Sequence, residues 1–204
     1  MLTGRGVYYG ADATEAAQCT GDDVYLVGAA NSAGQAALNL AKHAKRVVLL
    51  VRGPAIEATM SQYLVDRIHA AANIEVRTSS EVAAVAGTGH LECLTIADRD
   101  TGATEVVFAS WLFVFIGAEP RTDWLGETVA RDGHGFLVTG PDLVTGPNAR
   151  AGWPLERAPY SLETSIPGVF AAGDVRLDSM KRVASAVGEG AMTVYHVHRY
   201  LGTT

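Results

Sequence analysis

Short apolar runs alternate with a helical pattern over the first quarter of the chain. Val24–Val27 is an apolar run that stops at Gly28, and Val47–Val51 is a second one. Such runs are typical of buried parallel strands, because both faces of these strands are covered. Between the runs, apolar residues recur at the spacing of one helix face: Ala33, Ala36, Ala37, Leu40, Ala41 and Ala44. Residues 23–51 therefore predict a βαβ unit with two parallel strands.

The alternation of helix and strand continues to position 77 and then gives way to strands alone. Met60–Ala72 has the spacing of a helix, and Ile74–Arg77 follows it as a third strand. Three further β-rich stretches come next: Val82–Val85, Leu91–Ile96 and Glu105–Phe108. The Gly- and Asp-containing segments between them have the composition of tight turns, so the three stretches predict an antiparallel meander.

The pattern of residues changes again after position 116. Trp111–Ile116 predicts another buried strand, and Gly117–Pro120 marks a domain boundary. Residues 122–168 are rich in Gly, Pro and Asp, with one strand predicted at Phe136–Thr139. Gly168–Asp174 predicts a strand that ends in a Gly-Asp corner. A final helix is predicted from the periodic apolar positions Val183, Ala186, Val187, Ala191, Val194, Val197 and Leu201. The fold class predicted is α/β.

Composition excludes several classes of function. The chain has 204 residues, of which 48% are hydrophobic and 19% charged, as in a soluble globular protein. A net charge of −6 offers no basic stripe for nucleic acid. The apolar runs are far shorter than the roughly 20 residues of a membrane helix, so we expect no membrane span. The N-terminus lacks the apolar core of a signal peptide, and a cytoplasmic location is expected. Cys19 and Cys93 have neither CxxC nor metal-site spacing and are interpreted as ordinary thiols.

The corner after the first strand is a candidate phosphate site. Free N–H groups at the start of a helix can bind a dinucleotide's pyrophosphate, and the stretch Gly28–Ala33, which contains Asn31 and Ser32, occupies this position. Gly28 would supply the tight turn, and Ala33 is small enough for close helix–strand packing. Ala30 stands where the motif normally has its second glycine. A plain strand-to-helix turn therefore stays open as the alternative.

Arg52 follows the second strand, where an NAD-binding unit usually carries an acidic residue for the ribose 2′-hydroxyl. A cation there can pair with a 2′-phosphate, so this position favours NADP. The alternative is a surface arginine in solvent. Glu57, the next acidic residue, lies beyond Pro54 and fits the ribose role less well.

The order of these segments is more specific than any one of them. The stretches that carry a family resemblance are Gly4–Tyr9, Val27–Gln35, Met60–Leu64, Phe113–Gly117, Leu162–Ser165, Gly168–Arg176 and Lys181–Gly190. Through them, nearly the whole chain from Gly4 to Leu201 resembles the latter part of a low-molecular-weight thioredoxin reductase, a FAD/NAD(P)-dependent pyridine nucleotide-disulfide oxidoreductase. The resemblance is strongest to the branch often fused to cyclic-nucleotide-binding or response-regulator domains.

The resemblance implies a division of the chain into functional segments. Residues 1–21 would connect from a flavin-domain half that precedes this sequence, residues 22–119 would bind NAD(P), and residues 120–204 would contact FAD. The residues implied to face the nicotinamide cofactor are Gly28, Asn31, Ser32, Ala33, Arg52 and Gly117. Those implied to meet the flavin are Gly173, Asp174, Lys181, Arg182 and Val183, although a simple helix cap is the alternative for Gly173-Asp174.

The resemblance also implies an activity. Hydride would pass from NAD(P)H to FAD and on to an electron acceptor that the sequence does not identify, and no side chain is assigned as acid, base or nucleophile because the flavin carries the chemistry. Gly10-Ala11-Asp12-Ala13 stands where these reductases carry Cys-x-x-Cys, so the acceptor would be other than a local dithiol. Gly53 replaces the second arginine that relatives often place after the Arg52 position.

Two alternatives stay open. One is a non-catalytic NADP(H)-binding or regulatory fragment. The other is a fragment that does not fold stably alone, whose sign would be exposed apolar surface where another part should pack. A homodimer is compatible with either the enzyme or the regulatory interpretation.

Overall fold

The computed structural model describes residues 2–11, 13–145 and 153–203. The chain divides into two compact units, Met1–Ile116 and Gly117–Thr204. The division falls at the start of the Gly117–Pro120 segment. Sequence reasoning set residues 1–21 apart as a connection, and in the structure Val7–Tyr9 is a strand of the first unit's main sheet. The assignment of the segments to two cofactors stays a prediction.

A five-stranded parallel sheet forms the centre of the first unit. Its strands are β1 (Val7–Tyr9), β2 (Asp23–Val27), β3 (Arg46–Leu50), β4 (Ile74–Arg77) and β8 (Trp111–Val114), and their order across the sheet is β1-β8-β2-β3-β4. Three helices connect its strands: α1 (Ala13–Gln18), α2 (Asn31–Leu40) and α3 (Gln62–Ala70). The predicted βαβ unit and parallel sheet are confirmed, with α2 ending at Leu40 rather than Ala44.

A three-stranded antiparallel sheet lies between β4 and β8 in the chain. It comprises β5 (Ser80–Ala86), β6 (Cys93–Asp98) and β7 (Thr104–Phe108), in the order β5-β6-β7. The predicted meander is thus confirmed. It stands where a parallel crossover would ordinarily use a helix, so the chain reaches β8 through strands instead.

Alternate residues of the parallel strands pack into two separate cores. Val24 and Leu26 of β2 face a core with α2 and α3, whereas Tyr25 faces the other side of the sheet with Leu94 and Ile96 of the meander. Successive side chains of a strand point to opposite faces, so covering both faces requires an uninterrupted apolar run. The first unit is therefore layered as helices, parallel sheet and meander.

The described residues of the second unit have little regular structure apart from one long helix. They form three short 3₁₀ turns, Asp123–Leu125, Gly140–Leu143 and Gly173–Val175, and the helix α4, Val183–Thr203. The final helix was predicted correctly. Among the described residues no helix is both long and apolar enough to cross a membrane.

Two strands predicted in the second unit do not form. At Phe136–Thr139 only Leu137 makes isolated bridges, to Arg131 and Arg176, and in the Gly168–Asp174 segment only Phe170 does so, to Glu163. Each segment lies between two glycines with positive φ: Gly135 and Gly140 in the first case, Gly168 and Gly173 in the second. The backbone therefore turns at both ends of each four-residue segment, and only the isolated bridges form.

Candidate functional site

The corner between β2 and α2 requires glycine at position 28. Gly28 has φ +148°, and a Cβ there would lie 2.6 Å from the Phe115 carbonyl oxygen and 2.9 Å from the Ala33 Cβ. Its N–H donates to the Leu50 carbonyl at 3.1 Å. The corner is therefore held between β3 and the segment that follows β8, and Ala33 is fully buried beneath it. A larger residue at either position would push the start of α2 away from the sheet.

The start of α2 offers uncapped N–H groups. Ala30 precedes the helix in an extended conformation and provides no side-chain cap, and its carbonyl accepts the first helical hydrogen bond from Gly34 at 3.1 Å. The first-turn N–H groups of a helix have no partner inside the helix, and the helix dipole makes this end electropositive. Asn31 and Ser32 are exposed beside them. This end of α2 can accept a phosphate group.

Asn31 also ties α2 to the start of α3. Its side-chain oxygen accepts a hydrogen bond from the Ser61 N–H at 2.8 Å, and the Thr59 hydroxyl donates to the Ala29 carbonyl at 2.8 Å. Sequence reasoning gave Asn31 a contact with the cofactor. The geometry gives its oxygen a second task, because it satisfies an N–H group at the start of α3 and fixes the loop that leads there.

Arg52 lies at the same edge of the sheet as the corner. β2 and β3 are parallel with Val27 opposite Leu50, so both strands end level, and Arg52 follows β3 by two residues. Its side chain is exposed and has no hydrogen-bond or ion-pair partner among the residues that the structure describes. Its carbonyl accepts a hydrogen bond from Arg99 Nη1 at 3.3 Å. Sequence reasoning missed Arg99, which lies 47 residues further along the chain in a meander turn.

Gly117 is the first residue of the second unit. It is exposed, with φ +94°. Its predicted place beside the nicotinamide cofactor stays a prediction.

The Gly173-Asp174 corner is fastened to α4. Glu189 of α4 accepts hydrogen bonds from the Gly173 N–H at 2.6 Å and from Arg176 Nε and Nη2 at 3.0 and 2.5 Å. The bonds from Arg176 hold the pKa of Glu189 below its usual value, against the opposing effect of burial. A Cβ on Gly173, which has φ +79°, would lie 3.2 Å from the Ala186 Cβ. Arg176 and Glu189 fell within the stretches that carried the family resemblance, but sequence reasoning gave neither a role.

The other flavin candidates are on the surface of the second unit. Asp174 is exposed and has no partner among the described residues, and the 3₁₀ turn that contains it has no side-chain cap. The Asp174 side chain therefore does not cap this turn. Lys181 has φ +49°, and its Nζ lies 4.3 Å from the centre of the Phe136 ring. Arg182 is exposed, and Val183, the first residue of α4, is 83% exposed.

Neither cysteine has the environment of a reactive thiol pair. Cys19 is completely buried, its thiol donates to the Glu15 carbonyl at 3.1 Å, and burial, with the charges of Asp22 and Glu15, raises its pKa to about 12. The two cysteines are both free. Where relatives carry Cys-x-x-Cys, Gly10 has φ +99° and donates its N–H to the Val114 carbonyl at 3.4 Å. Asp12 lies outside the described residues.

Comparison with known proteins places this geometry in a family. The family model for pyridine nucleotide-disulphide oxidoreductases matches residues 4–190. Thioredoxin reductase from Streptomyces clavuligerus is 31% identical over 205 aligned residues, which cover 98% of this chain and 56% of that protein. Thioredoxin reductase from Peptoclostridium acidaminophilum is 26% identical, with 98% of this chain and 58% of that protein covered.

A solved structure supports the fold independently. Thioredoxin reductase from Lactococcus lactis superposes with a TM-score of 0.74 at 20% identity, covering 98% of this chain and 59% of that one. This chain therefore spans less than two thirds of each of these three relatives. The extent of the family match nonetheless decides the family: the chain belongs to the pyridine nucleotide-disulphide oxidoreductases, and it is similar to their thioredoxin reductases.

Proposed function

We propose that this chain is the NADP(H)-binding and flavin-contacting part of an FAD-dependent NAD(P)H oxidoreductase. In this proposal NADPH binds at the corner between β2 and α2, and residues around Gly173 and the start of α4 contact FAD. The flavin supplies the hydride acceptor, and the protein supplies binding and orientation. Electrons leave to an acceptor other than a local dithiol.

The observation that supports the nicotinamide half is that a helix start without a side-chain cap and an arginine with no partner in the described part of the chain lie at the same edge of the sheet. The start of α2 offers N–H groups to a pyrophosphate, and Arg52 offers a guanidinium at the neighbouring strand end. NADP presents both groups, a pyrophosphate and a 2′-phosphate, along one molecule. An arginine that has no internal partner keeps its full set of donors for such a ligand.

The support for the flavin half is the arrangement around Asp174. Glu189 holds the Gly173 backbone and is itself bound by Arg176, while the Asp174 side chain is exposed and has no partner among the residues that the structure describes. Lys181 and Arg182 lie at the electropositive start of α4, where a phosphate is favoured. In the proposal Asp174 accepts hydrogen bonds from flavin hydroxyl groups, and the two cations lie near the ribityl and phosphate end.

The proposal for the acceptor follows from the thiols. A disulfide relay needs an accessible thiolate, and the raised pKa and complete burial of Cys19 keep this thiol protonated and shielded. Gly10 and Ala13 carry no thiol. We therefore expect no reduction of thioredoxin through this site, even when the chain is joined to a complete flavin half.

NADPH and NADH titrations test the nicotinamide half. A charge-assisted pair between Arg52 and the 2′-phosphate is worth roughly 1.5–3 kcal/mol before solvent screening, so we expect tighter binding of NADPH. Arg52→Ala should greatly reduce the preference and leave NADH binding unchanged. Arg67→Ala is the matched control, because Arg67 is an exposed arginine near the end of α3, at the opposite edge of the sheet. Equal affinities in the unchanged protein would contradict NADP as the ligand.

The surface of α4 favours one second candidate, a chain that binds NADP(H) without catalysis. His196 is the only buried residue of α4 among the positions described, and several large apolar side chains of this helix are mostly exposed: Val183, Val187, Val194, Tyr195 and Leu201. A flavin held only at this open surface would lack the enclosure typical of a cofactor pocket. We therefore expect the 204 residues alone to lose FAD.

Flavin absorbance distinguishes the two candidates. The isolated chain should show no band at about 450 nm after gel filtration, and addition of a complementary flavin half from a relative should restore it. Asp174→Asn should weaken retention in that complex. Asp142→Asn is the control, because Asp142 is also an exposed acid in a 3₁₀ turn of the second unit. Stoichiometric FAD on the isolated chain would reverse the assignment, and Gly28–Ala33 would then become the flavin corner.

A further inference from the structure

We propose that Arg99 is a second specificity residue for the 2′-phosphate of NADP, acting from the turn between β6 and β7. This inference rests on the proposed NADP site. Gly53 has no side chain and cannot provide a second cation beside Arg52. The inference assigns that role to Arg99, which lies in a turn of the antiparallel sheet.

Three loops converge beside Arg52. The Ser79 N–H donates to the Gly53 carbonyl at 2.9 Å, and the Arg99 N–H donates to the Ser79 carbonyl at 2.7 Å. The Arg99 side chain then reaches back, with Nη1 3.3 Å from the Arg52 carbonyl oxygen. This chain of bonds places the Arg99 guanidinium within hydrogen-bond reach of the backbone of Arg52. Both arginines are therefore available at the same strand end.

The turn that carries Arg99 is fixed by its own hydrogen bonds. One Asp98 carboxylate oxygen accepts from the Asp100 and Thr101 N–H groups, at 3.0 and 2.8 Å, and from the Thr101 hydroxyl at 2.9 Å. The Gly102 N–H closes the turn on the Asp98 carbonyl at 2.8 Å. A ligand would not have to order this backbone, so less conformational entropy is lost when the arginine binds.

The strained backbone at Ser79 serves the same arrangement. Ser79 has φ +48°, which is uncommon for a residue with a side chain. In this conformation its N–H and carbonyl face two different loops, those of Gly53 and Arg99. The two hydrogen bonds therefore hold Ser79 in this conformation, and through it they link the meander turn to the end of β3.

The charges around Arg99 leave part of its guanidinium available. Its Nε lies 3.4 Å from a Glu81 carboxylate oxygen, and both side chains are nearly half exposed. An exposed pair of this length neutralises the arginine only in part. Nη2 has no partner among the described residues, whereas nearby Arg77 is already paired with Glu105. Because Glu81 offsets some of the charge, we expect Arg99 to contribute less than Arg52.

Titration of three ligands tests the role of Arg99. NADPH and 2′,5′-ADP carry the 2′-phosphate, and NADH lacks it. Arg99→Ala should weaken the first two by about three- to tenfold and leave NADH unchanged, as expected for one partly screened charge-assisted contact. Arg99→Gln retains a donor for the Arg52 carbonyl without the charge, so it should lose the preference to the same extent. Arg67→Ala should leave all three affinities unchanged.

The outcomes separate this inference from the proposed function. If the unchanged protein does not prefer NADPH, the NADP proposal itself fails. If it prefers NADPH, and both Arg99 variants keep the full preference, NADP stands and Arg99 has no part in its recognition. Equal losses for NADPH and NADH in Arg99→Gln would show that Arg99 only supports the loops, which would also overturn the inference. Circular dichroism of each variant checks that the fold is retained.

Discussion

The buried carboxylate of Glu163 should be a main source of stability in the second unit. Its side chain is fully buried and accepts four hydrogen bonds: from Arg157 Nη1 and Nη2 at 2.7 and 2.8 Å, from the Tyr160 N–H at 2.9 Å and from the Gly168 N–H at 2.8 Å. Each carboxylate oxygen accepts two of these bonds. Glu163→Gln would place an amide NH₂ group against two donors, whichever way the amide is turned.

The expected cost of Glu163→Gln is about 3 kcal/mol in the free energy of unfolding. Breaking a buried ion pair on one side costs about 3–5 kcal/mol, because the remaining charge is left uncompensated. The Arg157 side chain is 28% exposed, so water can solvate part of its charge, and the lower end of the range applies.

The same group gives this stability a pH dependence with a definite sign. Burial raises the pKa of Glu163, but the hydrogen bonds from Arg157, Gly168 and Tyr160 outweigh it and hold the pKa below its usual value. A carboxyl whose pKa is lower in the folded state stabilises the fold above its unfolded pKa of about 4.3. The contribution is lost as the pH falls through the folded pKa. The difference in the free energy of unfolding between the unchanged protein and Glu163→Gln should therefore become smaller as the pH falls from about 4.3 through the folded pKa of Glu163.

Urea unfolding at pH 7 and at a series of acidic pH values measures both effects. Trp153 is a suitable reporter, because its indole N–H donates to the Arg157 carbonyl at 2.6 Å. Glu156→Gln is the matched control: Glu156 is exposed nearby, and its replacement should change stability by less than about 0.5 kcal/mol. A loss for Glu163→Gln below about 1 kcal/mol, or one that does not depend on pH, would refute the reasoning.

Two further predictions concern the first unit. Gly28→Ala should lower the free energy of unfolding by about 1–3 kcal/mol, because the added methyl group overpacks the corner. It should also abolish NADPH binding in calorimetric titrations. Gly133→Ala is the control and should do neither, because its added methyl group meets open space. Cys19 should resist a thiol-specific reagent in the native protein because it is buried with a pKa of about 12, so a Cys93→Ser variant should react only after unfolding; rapid native labelling of that variant would contradict the burial.

The first unit could be predicted from sequence because its signals are local and repeated. The inner strands β2 and β3 are covered on both faces, so Val24–Val27 and Val47–Val51 are apolar throughout, and the helix between them keeps one apolar face. The edge strand β1 was missed because Val7–Tyr9 is only three residues long and opens a mostly polar segment. Its place in the sheet depends on β8, which lies about a hundred residues away in the chain.

The second unit shows where local patterns mislead. Phe136–Thr139 and the residues after Gly168 have strand composition, but glycines with positive φ limit both segments to four residues. Periodicity correctly predicted α4, yet its regularly spaced valines and leucine are largely exposed. A hydrophobic period predicts that a helix has an apolar face, and it does not specify what covers that face.

Some residues of the candidate site could be identified from local sequence motifs, and others are brought to the site only by distant parts of the chain. Gly28 follows β2 directly and Arg52 lies two residues after β3, so a known strand-to-helix motif identifies them. Arg99 could not be found by this route, because its position beside Arg52 depends on the meander folding back and on the strained link through Ser79. Glu189 likewise acts on Gly173 across 16 residues of chain.

The distribution of unpaired charges distinguishes residues that hold the fold from residues available to a ligand. Glu163 and Glu189 are largely shielded from solvent, and both are saturated by arginine and backbone N–H groups, because a buried charge without partners is costly. Arg52 and Asp174 are the opposite case: exposed, without a partner among the described residues, and placed at glycine corners that other residues keep rigid. A solvated charge costs nothing to leave unpaired, so exposure alone does not make a site. The rigid corner beside each charge supports a binding role, since it offers backbone N–H groups in a fixed orientation to the same ligand. Substitutions of Arg52 and Asp174 should therefore change ligand affinity with little change in stability, whereas substitution of Glu163, which lies in neither proposed site, should lower stability with little change in ligand affinity.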